Sequence, residues 1–276
     1  MAATTPPSPT PVRWRPSPLL RASFGLHVGA IAVVLARPSA WPWALGAVVA
    51  DHALLTAVGL TPRSTLLGPN WTRLPDAAAG RRQVAITIDD GPDPRITPRV
   101  LDLLDEREAK ATFFCIGERV QRYVELVREI VRRGHSVENH SHRHVNYFSL
   151  LGPRSLAAEI ERAQDTIGIT TGQPPLFFRA PAGLRSPFLD PVLSRLGLHL
   201  ASWTRRGFDT RSTRAEAVLG KLTRGLGAGD ILLLHDGHAA LTGNGVPVIL
   251  EVLPRLLDAV AAARLTPVTL RAALGP

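Results

Sequence analysis

Cysteine is all but absent: Cys115 stands alone in 276 residues, which excludes an internal disulfide framework and every zinc site built on paired thiolates. Any metal must then be held by histidine and carboxylate. Lysine is nearly as scarce. Of 32 basic residues only Lys110 and Lys221 are lysines, so the net charge of +9 rests on arginines spread along the chain. Aromatic residues make up 5%, and the longest basic runs are pairs such as Arg81-Arg82, Arg132-Arg133 and Arg205-Arg206. That pattern argues against a nucleic-acid partner despite a pI near 11.1. A membrane fits better, because anionic leaflets attract scattered arginines that flank apolar segments. With 45% hydrophobic and 20% charged residues, the chain as a whole is not disordered. Its length suits one large domain with an appendage, or two small domains.

What is present divides near residue 80. Residues 1–18 carry six prolines, Arg13, Arg15 and no acid, and read as a disordered basic leader. Residues 19–60 read as a membrane segment. Ala22 to Ala36 is apolar but for Ser23 and His27, Arg37-Pro38 interrupts, and Trp41 to Leu60 is apolar but for Asp51-His52. A span needs about 20 residues, which the second stretch supplies and the first reaches only by including Leu19, Leu20 and Arg21. Two spans joined at the proline, with Trp41 and Trp43 at headgroup level, make a helical hairpin; a single anchor or a cleaved signal over 13–40 are the competing readings. Asp51 and His52 would be costly in lipid unless paired, for example with His27 across the hairpin. Residues 61–80 read as a linker rich in proline and glycine.

From Arg81 to the end the pattern alternates strand and helix about seven times, so this is an α/β domain with parallel strands wrapped by helices. Thr97-Pro98 reads as an N-cap and first helical residue, and Thr213 with Glu216 fits a capping box. In such folds the chemistry collects at the carboxyl ends of the strands. The first strand ends in Asp89-Asp90-Gly91-Pro92, where adjacent side chains diverge, so one carboxylate can bind a metal while its neighbour faces water. The same residues would also make an ordinary solvated turn. The third strand ends in Asn139-His140-Ser141-His142-Arg143-His144. If His140 opens a helical turn, His140 and His144 sit at i and i+4, about 6 Å apart at Cβ, as a two-imidazole grip, with His142 turned to the surface or standing behind the site. Arg179 closes another strand, and a buried guanidinium there pairs with a carboxylate, for structure or for orientation. His235 ends the apolar run Ile231 to Leu234 at the same rim.

Four segments together, Thr87-Ile88-Asp89-Asp90-Gly91-Pro92, His140-Ser141-x-x-His144, Arg179-x-Pro181-x-Gly183 and Leu233-x-His235, give residues 82–271 a resemblance to the polysaccharide deacetylases, the NodB-homology group in family four of the carbohydrate esterases. The resemblance implies a distorted (β/α) barrel of about seven parallel strands. It implies that Asp90, His140 and His144 hold one divalent metal, commonly zinc, with Asp89 as general base, His235 as general acid and Arg179 orienting Asp89. Leu233 would line the pocket for the acetyl methyl, and the Ala182 backbone N–H, where the family often carries tyrosine, would help hold the oxyanion. Pro181, Gly183 and Trp203 would complete the substrate side. The fourth motif departs from the family: Arg206 stands at its first acidic position and Thr210 at its tryptophan, leaving Asp209 as the partner of His235.

The expected reaction is removal of N-acetyl groups from an amino-sugar glycan or a lipid-linked N-acetylated sugar. The rival readings are a deformylase of a lipid-linked amino sugar, a membrane-anchored glycan-binding protein without catalysis, and a metal-dependent nuclease or phosphatase using the same ligands. No protein partner can be inferred. Basic residues outside the hairpin outnumber the single Arg37 in its turn, which favours the cytoplasmic face of a bacterial-type inner membrane for the domain.

Overall fold

The computed structural model describes residues 13–275. Most of the expected leader, residues 1–12, lies outside them. The elements run α1 (Pro18–Ala36), α2 (Trp41–Gly59), α3 (Asp76–Gly80), β1 (Gln83–Gly91), α4 (Thr97–Asp105), β2 (Ala111–Cys115), α5 (Gly117–Arg122), α6 (Val124–Arg132), β3 (Ser136–Asn139) and α7 (Pro153–Thr171). They continue β4 (Phe177–Phe178), α8 (Leu189–Leu196), β5 (His199–Leu200), β6 (Arg205–Arg206), α9 (Ala215–Thr223), β7 (Ile231–His235), α10 (Val248–Ala262), β8 (Thr266–Val268) and α11 (Leu270–Ala273). All pairings in the sheet are parallel, in the order β5-β4-β3-β2-β1-β7-β6, with β8 beside the start of β1. The seven strands of this order, with β8 as an eighth beside β1, therefore curl into a partial barrel, as expected.

Strand periodicity sorts the two faces of this barrel. Val84, Ile86 and Ile88 of β1, Phe113 of β2 and Leu232 and Leu234 of β7 pack outward with α4 and α10. Ala85, Phe114, Ile231 and Leu233 face inward with Phe177 and Trp203. Because side chains alternate, the inward series on β1 continues to Thr87 and Asp89, and that on β7 to His235. Asp89 is in register with His235, so the alternation delivers both to one rim.

Local details differ from the sequence reading. Thr97 does not cap α4; its hydroxyl accepts from the Asp93 N–H and donates to the Asp236 carboxylate. Thr213 and Glu216 form no capping box: the cap of α9 is Arg214 and makes no side-chain bond, while Glu216 pairs with Arg255 at 2.6 Å. Helices α5 and α6 are divided at Tyr123 (φ −127°, ψ 51°). Residues 61–80, read as a linker, lie against the barrel. Leu67, Leu74 and Ala78 are buried, and Trp71 bridges to Ala201 as a short extension of the sheet edge.

Helices α1 and α2 pack on each other, and both are long and apolar enough to cross a bilayer, with mean hydropathy of 1.8 and 1.2. They leave large apolar side chains outside: Leu35 is 78% exposed and Trp43 82%. Their polar residues meet between the helices, as the pairing argument requires. Ser23 donates to Asp51 at 2.6 Å, and the Nε2 atoms of His27 and His52 are 3.1 Å apart. The hairpin joins the barrel through the Arg185 N–H on the Gly59 carbonyl (3.1 Å) and the Trp14 indole on Asp190 (2.8 Å).

Candidate active site

Asp89 and Asp90 are separated by a bulge. The β1–β2 register jumps between Asp89 and Gly91, and Asp90 takes a left-handed conformation (φ +72°), so the two carboxylates splay apart. Neighbouring glycines are required by packing. A Cβ at Gly91 would fall 2.5 Å from the Asp236 carboxylate, and one at Gly237 would fall 2.3 Å from the Asp90 carbonyl.

Asp90 Oδ1 lies 3.2 Å from His140 Nε2 and 3.3 Å from His144 Nε2. The segment carrying the imidazoles is not the helical turn expected. It is an irregular loop in which Ser141 and His144 are left-handed (φ +63° and +53°), pinned by the Ser141 N–H on Asn139 Oδ1 and the His144 N–H on Ser141 Oγ. The rings still meet, with centroids 4.7 Å apart. His140 Nδ1 donates to the Arg179 carbonyl at 2.8 Å, which turns the Nε2 lone pair toward Asp90. His144 is held neutral: burial and the repulsion of His140 lower its pKa to about 4. Acceptor atoms thus converge on one point that a cation would satisfy. Their spacing matches the roughly 3.4 Å expected between donors about 2.1 Å from a tetrahedral ion. The donor set of two imidazoles and one carboxylate fits a divalent ion of the zinc class and leaves positions open.

Around this point the carboxylates are held differently. Burial opposes ionisation of Asp90, but when the imidazoles carry the proton that a metal ion would replace, hydrogen bonds from His140 and His238 and the charges of His140 and His235 prevail and keep it well below the usual range. Asp89 is held by Arg179, whose Nη1 donates to it at 2.6 Å and to Thr87 Oγ1 at 2.8 Å. Arg179 is 1% exposed, bonds the Ala201 and Ser202 carbonyls, and lies 4.1 Å over the Phe114 ring. Across the rim, Asp209 accepts from His235 Nδ1 (2.9 Å) and from the His235 backbone N–H (2.7 Å). Burial works against the His235 imidazolium, yet the Asp209 hydrogen bond and charge outweigh it and raise the pKa.

The remaining expected residues are placed less uniformly. Ala182 is exposed in a left-handed conformation (φ +55°), while the flanking N–H groups of Gly183 and Leu184 are committed to Ala180 and Pro181 carbonyls. Pro181 and Gly183 are buried and shape that turn; they offer no surface themselves. Leu233 and Trp203 form the inner wall beneath it. His142 is not at the surface. It is buried beside Gly117, and its ring nitrogens have no hydrogen-bond partner. The sequence reading missed His238, whose Nδ1 reaches Asp90 Oδ2 at 3.2 Å, and Asp236, which Thr97 and the Gly237 N–H hold in full burial. Burial raises Asp236 to about 7. The run His235-Asp236-Gly237-His238 was the available signal.

Known proteins resemble this chain in sequence and fold. A family model described as polysaccharide deacetylase matches residues 76–201. A peptidoglycan-N-acetylglucosamine deacetylase of Bacillus cereus is 36% identical over 175 residues, 63% of this chain and 81% of its own length. The chain belongs to the polysaccharide deacetylase family. A chitooligosaccharide deacetylase of Sinorhizobium fredii is 32% identical over 195 residues, covering 67% and 90%. Among solved structures, a family 4 carbohydrate esterase from Streptomyces lividans in complex with acetate aligns with a TM-score of 0.61 at 30% identity, over 67% of this chain and 91% of that one. The protein is accordingly a carbohydrate deacetylase, a hydrolase. In this deacetylase the altered fourth motif puts the Arg206 guanidinium 5.2 Å over the Trp203 ring and 5.0 Å over Phe208.

Proposed function

We propose that this deacetylase removes the N-acetyl group of an amino sugar, in a glycan or on a lipid carrier, using a divalent ion held by Asp90, His140 and His144, with zinc the best match to the donors. The reading rests on one observation above the rest: a three-donor cluster sits beside a carboxylate locked by a buried arginine and opposite a carboxylate-backed histidine. An ion bound there supplies Lewis-acid polarisation of the amide carbonyl and brings the pKa of water toward about 7. Asp89, fixed by Arg179, accepts the proton of the attacking water. The Ala182 N–H faces the developing oxyanion. His235, kept protonated by Asp209, donates through Nε2 to the departing sugar amine. Leu233 and Trp203, beneath the turn of Pro181 and Gly183, hold the acetyl methyl.

The N-terminal helices serve as a membrane hairpin, with the domain on the cytoplasmic side. That side cannot reach finished wall polymer but can reach an N-acetylated sugar on a lipid carrier. The test is acetate release from chitooligosaccharides and from a polyprenyl-linked N-acetylglucosamine by the metal-loaded full chain. Mass spectrometry of each product should show loss of one acetyl group, and release of formate from a formylated sugar with none of acetate would move the reading to a deformylase.

A further inference from the structure

Beside the catalytic rim a cavity of about 480 Å³ is lined by Arg63, Arg205, Arg206, Lys221, Trp203 and Phe208 among others, and by no acidic residue. Arg205 is neutralised, since its Nε meets Asp230 at 2.6 Å and its other nitrogens bond the Arg224 and Gly225 carbonyls. The others are not. Among the described residues Arg206 and Lys221 have no carboxylate partner, and Arg63 gives one nitrogen to the Thr204 carbonyl at 3.0 Å. Arg206 is held by the faces of Trp203 and Phe208, and Lys221 Nζ lies 4.8 Å over Phe208. Aromatic faces position a cation without using its N–H donors. The Arg206 Nε is buried with no hydrogen-bond partner, a donor awaiting an acceptor.

The position is as informative as the charge. Arg206 pairs in register with Leu233, two residues before His235, so the cavity flanks the cleft where the acetylated sugar would lie. Trp203 is shared, its ring 6.0 Å from the Arg179 guanidinium and 5.2 Å from that of Arg206. Arg63 follows the end of α2 by four residues, which puts the cavity at the foot of the hairpin. A second cavity of about 510 Å³ runs between hairpin and domain against Phe24, Leu55, Leu60, Leu150 and Phe188. A neutral glycan offers these cations hydrogen-bond acceptors but no countercharge, whereas a guanidinium and an ammonium together match the oxygens of a phosphate or diphosphate in both.

We propose that Arg206, Lys221 and Arg63 form an anion subsite for the phosphate or diphosphate of a glycosyl phosphate, so that the deacetylated sugar is a phosphorylated one. The inference rests on the deacetylase reading above for its catalytic consequence, but the subsite itself does not. The hairpin cavity favours a lipid carrier as the source of that phosphate.

The experiment compares the metal-loaded full chain with R206Q, R206K and K221Q in detergent. Acetate release is measured from three substrates: a neutral chitooligosaccharide, N-acetylglucosamine 1-phosphate, and a short-chain prenyl diphosphate N-acetylglucosamine. Binding of inorganic pyrophosphate is measured by calorimetry. The ratio of kcat/KM for phosphorylated over neutral substrate should fall about tenfold in R206Q and K221Q, chiefly through KM, with partial recovery in R206K. Pyrophosphate binding should weaken in parallel and with added salt. Lys221 is exposed on α9, so K221Q tests the subsite even if R206Q folds poorly. An unchanged substrate ratio, or pyrophosphate binding that neither variant alters, overturns the subsite. Wild-type chain that binds pyrophosphate through these residues but deacetylates nothing would leave the subsite standing and remove the deacetylase reading. A prenyl diphosphate substrate preferred over the soluble phosphate marks the lipid source, and equal use marks a soluble one.

Discussion

Two adjacent carboxylates carry different burdens, and substitution should separate them. Asp90 Oδ1 faces both imidazoles and its Oδ2 meets His238, whereas Asp89 is bonded to Arg179. Asp89→Asn should therefore retain the metal while losing roughly 10²–10⁴ in kcat, the usual worth of a positioned general base. Asp90→Asn should lose the metal itself. Elemental analysis beside steady-state rates decides this, and equal loss of metal in both variants would contradict the division. His235 gives a second test through pH. Its pKa is raised by Asp209 against the opposing effect of burial, and the proton donor proposed here must be protonated, so activity should fall as pH rises through that pKa. Asp209→Asn removes the raising charge and should move the alkaline limb of the kcat profile to lower pH with the metal content unchanged.

Between elements, the weakest seam of the barrel is β3 against β4, which pair at one position, Asn139 with Phe178. A buried carboxylate closes it. Glu138 accepts from the Leu176 and Phe177 N–H groups at 2.8 and 2.9 Å and from Arg271 of α11 at 2.5 Å. Arg271→Leu leaves that charge buried and unpaired, and should cost about 3–5 kcal/mol in chemical unfolding. Burial already raises the Glu138 pKa against the opposing charge of Arg271, and losing Arg271 raises it further. The folded state then binds the proton more tightly than the unfolded one, so stability falls as pH rises from the ordinary glutamate value through the raised one. The variant's deficit should accordingly shrink in acid. Chemistry at strand ends was legible in the sequence because alternation alone sends Asp89 and His235 inward at one rim. The bulge at Asp90 and the left-handed Ser141 and His144 were not, since nothing local in those residue types demands positive φ. The i, i+4 argument expected the His140 and His144 rings to meet, and they do, but on an irregular loop and not on a helical turn. The caps at Thr97 and Thr213 failed for a different reason: tertiary partners, Asp236 for Thr97 and Arg255 for Glu216, claimed the groups that local capping would have used.

For the molecule as a whole, the proposed membrane role of the hairpin would decide which substrates the domain can meet. Its two helices reverse at Pro38–Ala40, so Pro18 and Gly59 stand at the end that contacts the barrel through Trp14 with Asp190 and Gly59 with Arg185. Arg13 and Arg15 before the first helix, Arg21 in its first turn, and Arg63, Arg73, Arg81 and Arg82 after the second share the domain's end, against Arg37 alone at the turn. Short flanks with that bias are retained on the cytoplasmic face. The Asp51, His52, His27 and Ser23 contacts between the helices remove part of the penalty that polar groups would incur in lipid, which makes two complete spans tenable. A single span or a cleaved leader would instead place the domain outside, beside finished polymer. Fusions at the C-terminus separate these arrangements, because alkaline phosphatase matures only outside and a cytoplasm-dependent fluorescent protein only inside. The hairpin predicts fluorescence without phosphatase activity. A phosphatase-positive full-length fusion would refute the two-span topology and return the exported polymer to first place as substrate, while leaving the chemistry at the barrel rim untouched.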